Sequence, residues 1–251
     1  MVNVIMHGCN GHMGRVVTDL ISKDEDVQIV AGIDAYTGIA NDYPVFKSIK
    51  ECDVKADAII DFAVTAAIDD LLDYAVETKT PVVVCTTGLS AQQLDKVNEA
   101  SKSVAVLRSA NMSLGINTLM KVLKIATDVL AHRGFDIEIV EKHHNQKVDA
   151  PSGTALALAD CINQELNNEY DYTYDRSNVR EKRKKNEIGI SAVRGGTIVG
   201  EHEVIFAGTD EVIEIKHTAY SKAIFAKGAI DAAKFLAGKE AGMYNMADVI
   251  D

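Results

Sequence analysis

The 251-residue sequence predicts an α/β protein in which a doubly wound parallel sheet is combined with a second α+β domain that contains an open mixed sheet. Over the first ~110 residues, short apolar runs alternate with helical stretches, which is typical of βαβ units. Further along, longer runs alternate apolar and polar residues, which indicates a sheet with one buried and one solvated face. A glycine cluster lies between the first apolar run and the first helical stretch.

The first half contains five strand candidates, which are Val2–Met6, Val27–Ile33, Ala58–Phe62, Val82–Val84 and Val104–Leu107. Apolar residues at helical spacing predict helices at Met13–Ser22, Ala66–Glu77 and Ala91–Ala100. Nearly continuous apolar strands are typical of a parallel sheet covered on both faces. This half is therefore expected to be doubly wound.

The second half begins with a predicted helix at Asn117–Ala131. Alternating runs then start at Asp136, Ile188, Glu203 and Glu211, so an open mixed or antiparallel sheet is expected. A closing helical segment, Lys222–Ala237, is free to pack back on the first half. The basic run 180–185 is interpreted as a solvated loop.

Charge and cysteine content limit the classes of function. Lys and Arg number 26 and Asp and Glu 37, so the net charge is −11, which disfavours nucleic acid and anionic membranes as partners and favours a small molecule. The four cysteines form no Cys-x-x-Cys pair, which argues against a zinc ribbon or a disulfide framework. With neither a signal-like start nor an apolar run of ~18 residues, a cytoplasmic location is expected.

The glycine cluster, Gly8, Gly11 and Gly14, follows the first strand and opens a helix. Such a turn lets the backbone approach a pyrophosphate and directs helix N–H groups at it. Asn10 replaces the usual second glycine, and Asn tolerates left-handed backbone conformations. Asp34, at the end of the second strand, is placed to bind a ribose. The alternative is that the glycines only permit a tight turn and Asp34 caps a loop.

A second segment, residues 141–156, contains two histidines, a lysine and a Gly-Thr turn between a strand and a helix. Adjacent strand side chains point to opposite faces, so His143 and His144 are poorly placed to chelate one metal ion. Acid/base or anion-binding roles suit them better. Free N–H groups are expected at the helix start, Ser152 to Thr154, where the helix dipole favours a carboxylate. A polar loop followed by a capped helix is the alternative.

Several segments together resemble one family of reductases. They are Gly8–Arg15, His143–Thr154, Arg194–His202, Phe206–Gly208 and Tyr244–Ile250. On these residues the chain is similar, nearly end to end, to the 4-hydroxy-tetrahydrodipicolinate (dihydrodipicolinate) reductases. The resemblance implies NAD(P)H-dependent reduction of a cyclic imine dicarboxylate, 4-hydroxy-tetrahydrodipicolinate, to tetrahydrodipicolinate in lysine and diaminopimelate biosynthesis.

The resemblance also implies a dinucleotide-binding Rossmann-type domain at 1–111 and 223–251, a substrate-binding and tetramerisation domain at 112–222, a homotetramer and no metal. His143 would be the catalytic acid/base and Lys147 the proton donor. The substrate would be held by His144, Lys147, Ser152, Gly153 and Thr154. The cofactor would contact Gly8, Cys9, Asn10, Gly11, His12, Met13, Asp34, Cys85, Thr86, Thr87, Ser109, Ala110, Asn111 and Met112.

Three positions depart from the family pattern: Cys85 replaces a glycine, Met112 an aromatic residue and His12 an arginine. The first two affect nicotinamide packing and the third affects cofactor choice. Asp34 is followed by Ala-Tyr-Thr, so the usual basic partner for a 2′-phosphate is missing. NADH is therefore expected to be preferred, with NADPH use left open because His12 and Arg15 are near.

Two rival functions remain at this point. One is another Rossmann-type amino-acid or imine dehydrogenase, for example one acting on an aspartate-like substrate. The other is a dinucleotide-binding redox sensor without turnover. The combination of His-His-x-x-Lys with Ser-Gly-Thr disfavours the dehydrogenase, and the presence of both His143 and Lys147 disfavours the sensor. The remaining histidines, His202 among them, are interpreted as structural or surface residues.

Overall fold

The computed structural model describes residues 1–178 and 180–250. The chain forms two compact units, Met1–Leu114 with the segment from Ala223 onward, and Gly115–Lys222. The strands, in chain order, are β1 Val2–His7, β2 Val27–Ile33, β3 Val45–Phe46, β4 Ala58–Asp61, β5 Val82–Val84, β6 Ala105–Arg108, β7 Asp136–His143, β8 Asp171–Tyr174, β9 Glu187–Arg194, β10 Gly200–Ala207, β11 Val212–Ala219 and β12 Gly242–Tyr244. The helices are α1 His12–Ile21, α2 Ile68–Thr78, α3 Ala91–Ser101, α4 Leu114–Leu130, α5 Gly153–Glu165, α6 Ala223–Leu236 and α7 Met246–Ile250.

The first unit is built on a seven-stranded parallel sheet in the order β12-β6-β5-β4-β1-β2-β3. Successive strand side chains point to opposite faces, so β1 contributes Val4 and Met6 to one core and Ile5 to the other. Helices α1 and α6 cover the first core, and α2 and α3 cover the second. The predicted doubly wound architecture, including the return of the closing helix to this sheet, is confirmed.

The second unit contains a five-stranded sheet in the order β11-β10-β7-β9-β8. β10 runs antiparallel to β7 and β11, whereas β9 runs parallel to β7 and β8, so the sheet is mixed. Its inner face packs Ile137, Ile139, Val204 and Phe206 against a core that includes apolar residues of α4 and α5. Alternating burial along β7 and β10 leaves the other face more exposed, as the alternating sequence pattern predicts.

The basic run 180–185 is a largely exposed loop, as expected, and Arg183 is its one half-buried residue. Arg183 donates to the Glu138 carboxylate at 3.0 Å, to Asp136 at 2.9 Å and to the Ile137 carbonyl at 2.9 Å. Its side chain is only 17% exposed, because these acceptors on β7 draw the guanidinium inward. Within the described residues, no helix has the length and apolar character needed to cross a bilayer.

Candidate functional site

The glycine turn joins β1 to α1 through backbone contacts that leave no room for side chains at two positions. Gly8 adopts φ +82°, and its N–H donates to the Ile33 carbonyl at 2.8 Å. A Cβ at Gly8 would lie 2.7 Å from the Phe62 carbonyl oxygen, and a Cβ at Gly14 would lie 2.1 Å from the Gly8 oxygen. The bare backbone and the start of α1 therefore form a cradle of the kind that accommodates a pyrophosphate.

Asn10 ties the glycine turn to the loop after β2. Among the described residues, the positive φ in this turn belongs to Gly8, and Asn10 is not left-handed. Instead, the Asn10 N–H donates to Asp34 Oδ2 at 3.0 Å, and its side-chain amide donates to the Tyr36 carbonyl at 2.5 Å. The tolerance of Asn for left-handed conformations is not used here, because Gly8 is the residue with positive φ in this turn.

The Asp34 carboxylate is fixed at the rim of a cavity of about 450 Å³. Its two oxygens accept hydrogen bonds from the backbone N–H groups of Asn10 and Tyr36. The cavity is lined by His7, Gly8, Asn10, Gly11, Ile33, Asp34, Ala35, Tyr36, Lys47, Ser48, Ile49, Phe62, Ala63, Val64, Ala67 and Asp70. The glycine cradle and the oriented carboxylate fit the pyrophosphate and ribose of a dinucleotide.

The other predicted cofactor residues lie outside that lining. Cys9 is buried beneath the turn, and burial raises the pKa of its thiol to about 11. His12 and Met13 begin α1, while Cys85–Thr87 and Ser109–Met112 follow β5 and β6, which are neighbours in the sheet. Burial, and then the nearby Asp61 carboxylate, raise the pKa of the Cys85 thiol well above its ordinary value. Cys85 is therefore a neutral packing residue rather than a reactive thiolate.

A buried polar network that the sequence did not single out joins three strand ends of the first unit. Asp61 is 1% exposed; it binds His7 Nδ1 at 2.8 Å and accepts from the Thr86 hydroxyl at 2.7 Å and the Ala63 N–H at 3.1 Å. These bonds join the carboxyl ends of β1 and β4 to the segment after β5. The available sequence signal was an aspartate closing the otherwise apolar run Ala58–Asp61.

In the second unit, β7 and the start of α5 bring His143 and Ser152 to one carboxylate. Glu141 accepts from Arg194 Nη1 and Nη2 at 2.8 and 2.7 Å, and from the Ser152 N–H at 2.9 Å. Its Oε2 lies 2.6 Å from His143 Nδ1. Burial acts to raise the pKa of Glu141, but the hydrogen bonds from Arg194, His143 and Ser152 outweigh it and hold the pKa below its ordinary value.

This arrangement corrects the expectation of free N–H groups at the helix start. The Ser152 N–H is committed to Glu141, and the Ser152 hydroxyl caps α5 by accepting from the Ala155 N–H at 3.2 Å. The Ser152 oxygen also lies 3.0 Å from His202 Nε2. The Ser152 N–H is therefore not free for a substrate carboxylate, which leaves the Ser152 hydroxyl and the other groups of this segment.

Lys147 already holds a carboxylate in this structure. Its ammonium lies 2.8 Å from Asp149 Oδ1, and the Arg194 guanidinium donates to the Asp149 carbonyl at 2.6 Å. The Lys147 hydrogen bond is the largest cause that lowers the pKa of Asp149, and the Gly153 N–H contributes as well. His144 is half-buried in the same turn, and its carbonyl accepts from the Lys147 N–H at 3.2 Å. Lys147 and the start of α5 therefore contact the same carboxylate, that of Asp149.

Comparison with known proteins decides the family. The profile described as "Dihydrodipicolinate reductase, N-terminus" matches residues 2–112, and that described as "Dihydrodipicolinate reductase, C-terminus" matches residues 115–250. The chain belongs to the dihydrodipicolinate reductase family. The resemblance stated from the sequence motifs is confirmed.

Relatives of this reductase family cover the whole chain. The chain is 54% identical over 250 residues to the 4-hydroxy-tetrahydrodipicolinate reductase of Caldanaerobacter subterraneus subsp. tengcongensis, covering 100% of this chain and 98% of the relative. It is 51% identical to the protein of the same name from Clostridium novyi, with the same coverage. A dipicolinate-bound dihydrodipicolinate reductase from Paenisporosarcina sp. TG-14 superimposes with a TM-score of 0.83 at 21% identity, covering 100% of both chains, which shows a shared fold.

His202 stands out among the histidines of this reductase-family chain. It is 5% exposed, its ring centroid lies 5.1 Å from that of His143, and its Nδ1 has no hydrogen-bond partner within the described residues. Burial, followed by the neighbouring His143 ring, lowers the pKa of His202 to about 4. A neutral ring can stay hydrogen-bonded to Ser152 without adding charge beside His143.

The lowered pKa of His202 predicts a pH-dependent contribution to stability. With an unfolded value of 6.5 and a folded value of about 4, the unfolded chain binds the extra proton first. The contribution is full above pH 6.5 and is lost as the pH falls to about 4, a change of about 3 kcal/mol. Urea unfolding of wild type and His202→Asn from pH 7.5 to 4 measures it. If the free energy of unfolding changed equally with pH in both proteins, the assignment of this pH dependence to His202 would be contradicted.

Proposed function

We propose that the chain catalyses NAD(P)H-dependent reduction of 4-hydroxy-tetrahydrodipicolinate to tetrahydrodipicolinate in lysine and diaminopimelate biosynthesis. The observation that carries the proposal is the geometry of the 143–154 segment in a chain of this family. A buried, carboxylate-bound histidine and a lysine that already holds a carboxylate lie on one short segment. A cyclic imine dicarboxylate requires acid/base and carboxylate-binding groups of these kinds.

The protein's own groups then have separate tasks. His143 serves as the acid/base and Lys147 as the proton donor, while His144, Lys147, Ser152, Gly153 and Thr154 hold the substrate carboxylates. The bound reduced nicotinamide supplies a hydride to the ring. Positive groups around the substrate orient it and stabilise the charge that develops on reduction, an effect of roughly 3 to 4 kcal/mol per preorganised donor where water is excluded.

Residues 1–111 with 223–251 are proposed to bind the dinucleotide, and residues 112–222 to bind substrate. The glycine cradle from Gly8 to Met13 would take the pyrophosphate and Asp34 the adenosine ribose. Cys85–Thr87 and Ser109–Met112, which follow adjacent strands, would line the nicotinamide end. The family assignment and the carboxyl-end position of these segments support the proposal.

A coupled assay tests this function against its two rivals. The product of dihydrodipicolinate synthase is generated in the cuvette, and oxidation of reduced cofactor is followed with and without the purified chain. Substrate-dependent oxidation supports the proposal. Turnover with an aspartate-like amino acid or its imine in place of this substrate would indicate the dehydrogenase alternative. Cofactor binding without any consumption would indicate the sensor.

We expect NADH to be preferred over NADPH by roughly tenfold in kcat/KM. The 2′-phosphate would meet Asp34, and two unit charges about 4 Å apart repel by about 4 kcal/mol at an effective dielectric of 20, which solvent and salt reduce. Lys47 lines the same cavity and makes no hydrogen bond or ion pair with the described part of the chain. It can therefore offset part of the repulsion.

The measurement is kcat/KM for both cofactors at one ionic strength, in wild type and Lys47→Ala. The variant should widen the preference for NADH. Lys55→Ala is the matched control, because Lys55 is nearby in sequence but is exposed and lies outside the cavity lining. A clear wild-type preference for NADPH that persists in Lys47→Ala would contradict the argument from Asp34.

Pyridine-2,6-dicarboxylate should compete with substrate. Lys147 already binds the Asp149 carboxylate, so a planar dicarboxylate can replace that contact. Lys147→Ala should raise its Ki tenfold or more, whereas Lys124→Ala, which removes a lysine paired with Glu165, should leave it unchanged. Inhibition kinetics give the answer, and noncompetitive inhibition, or none at millimolar concentration, would exclude this carboxylate site.

A homotetramer and a cytoplasmic location complete the proposal. The outer face of the mixed sheet presents apolar side chains between charged ones, including Val193 and Val212, which are 44% and 57% exposed. Such a face is suited to contact with other copies of the chain. All four cysteines are free thiols, in keeping with a reducing compartment. A solution mass near four times 27.1 kDa tests the assembly.

A further inference from the structure

Two groups close to His143, the side chains of Glu141 and Arg194, have no direct part in the proposed reaction. Glu141 and His143 are two residues apart on β7, so their side chains share the inner face of the sheet. Both are buried, and the Glu141 side chain is 0% exposed. The His143 carbonyl also accepts from the Gly195 N–H at 2.9 Å, which fixes the backbone at the end of the strand. The ring itself is held at one nitrogen, Nδ1, by the Glu141 carboxylate.

The Glu141 carboxylate, which binds His143 Nδ1, has further hydrogen-bond donors. Arg194 lies opposite His143 in the parallel β7–β9 ladder and binds both Glu141 oxygens, while the Ser152 N–H binds one of them. A bidentate arginine and a backbone donor favour the ionised carboxylate. An ionised carboxylate can only accept hydrogen bonds, so the shared hydrogen must reside on His143 Nδ1.

We infer that Glu141 and Arg194 are positioning residues that fix His143 as an Nδ1–H donor, so that Nε2 is the nitrogen that exchanges a proton with substrate. The pair acts through His143 and need not touch the substrate. This assignment rests on the proposed function for the acid/base role of His143, whereas the Nδ1–H tautomer follows from the hydrogen bonds alone. Replacing the carboxylate would free the ring to take the other tautomer.

Gly200, at the start of β10, keeps Nε2 accessible. A Cβ built on Gly200 would lie 3.1 Å from His143 Nε2 and 3.5 Å from Cδ2. Any larger residue here would therefore cover the nitrogen that the Glu141 contact leaves open. The titratable groups around the ring are Glu141 on β7, Arg194 on β9 and His202 on β10. Of these, Glu141 is the group bonded to Nδ1. His202 in turn has His217 and Lys147 as charged or titratable neighbours.

Histidine ring NMR tests the tautomer on the full chain without substrate. The protein has seven histidines, so ¹⁵N-labelled ring signals are few, and His143 is assigned by its absence from His143→Gln. Near pH 8, where imidazoles are largely neutral, the wild-type His143 signal should show a protonated Nδ1 and a bare Nε2. The opposite tautomer in the wild type would overturn the inference, whatever reaction the protein catalyses.

Variants separate positioning from folding. Glu141→Gln should give mixed or reversed tautomers and lower kcat roughly 10²-fold, with the KM for substrate and the Kd for cofactor changed less than threefold, because a misplaced ring proton impairs the chemical step. Glu138→Gln is the control, since Glu138 is on the outer face of the same strand and also pairs with two arginines, Arg176 and Arg183. It should change neither the tautomer nor kcat.

Gly200→Ala and Arg194→Lys keep the test decisive if Glu141→Gln does not fold. Gly200→Ala should retain the Nδ1–H signal and still lose about tenfold in kcat. Arg194→Lys should preserve part of the wild-type tautomer and activity by keeping one positive charge on Glu141. A folded Glu141→Gln enzyme with wild-type tautomer and kcat would refute the positioning role. A wild type without the proposed activity would instead refute the proposed function and leave the tautomer result intact.

Discussion

His143→Ala and Lys147→Ala should each lower kcat by roughly 10² to 10⁴-fold, equivalent to about 3 to 5 kcal/mol of transition-state stabilisation. The His143 ring is held by Glu141 at 2.6 Å, and Lys147 holds a carboxylate at 2.8 Å, so these groups are oriented for work on the substrate. Neither lies in the glycine cradle or the Asp34 cavity. Dinucleotide binding should therefore remain within about twofold of wild type.

The measurements are steady-state kinetics and the Kd for reduced cofactor by fluorescence titration. The controls are His132→Ala, an exposed histidine of the same unit, and Lys124→Ala. Both should keep wild-type values. If either site variant retained wild-type kcat, the role of that residue in the reaction would be withdrawn. A variant that lost cofactor binding in parallel with kcat would indicate a disturbed fold instead.

Gly14→Ala should destabilise the first unit by about 3 kcal/mol and lower the Tm by roughly 6 to 12 °C. Its Cβ would lie 2.1 Å from the Gly8 oxygen and 2.8 Å from Cys9 backbone atoms, so the obstacle is main chain and no side chain can rotate away. The turn must open to admit the methyl group. Affinity for the dinucleotide should fall at least tenfold as a consequence.

Gly11→Ala is the matched control in the same turn. Gly11 has φ −70°, and its Cβ would meet the Gly8 oxygen at 3.3 Å, so the backbone needs little adjustment. The Tm of Gly11→Ala should stay close to that of wild type. Its affinity for the cofactor should fall, because the added methyl group stands where the pyrophosphate approaches. Thermal unfolding and cofactor titration separate the two effects. Equal Tm values for both variants would contradict the packing account of Gly14.

The fold was predictable wherever the sequence pattern was long enough to have a period. Buried parallel strands such as β1 and β2 appear as apolar runs, and β7 and β10 appear as alternating ones. The strands that were missed, β3, β8 and β12, contain two, four and three residues. Each of them lacks the run of β-branched residues, Val82–Val84, that made the equally short β5 recognisable, so pairing with neighbouring strands rather than a local pattern determines their conformation.

The candidate site was predictable where its residues are close in sequence. His143, Lys147 and Ser152 lie on one segment, so a motif revealed them. Arg194 is 53 residues from Glu141, and only the β7–β9 pairing brings their side chains together. Alternation along β7 did contain a signal for Glu141, because it places this carboxylate on the same inward face as Ile137 and Ile139.

Transfer of deuterium from reduced cofactor to product tests the central proposal most directly. Cofactor labelled at the transferable position of nicotinamide C4 is incubated with the purified chain and freshly generated 4-hydroxy-tetrahydrodipicolinate. Mass spectrometry then measures the tetrahydrodipicolinate formed. We predict one deuterium per product molecule, with one cofactor oxidised for each. Product without deuterium, or no oxidation of cofactor in the presence of this substrate, would contradict the proposed reaction.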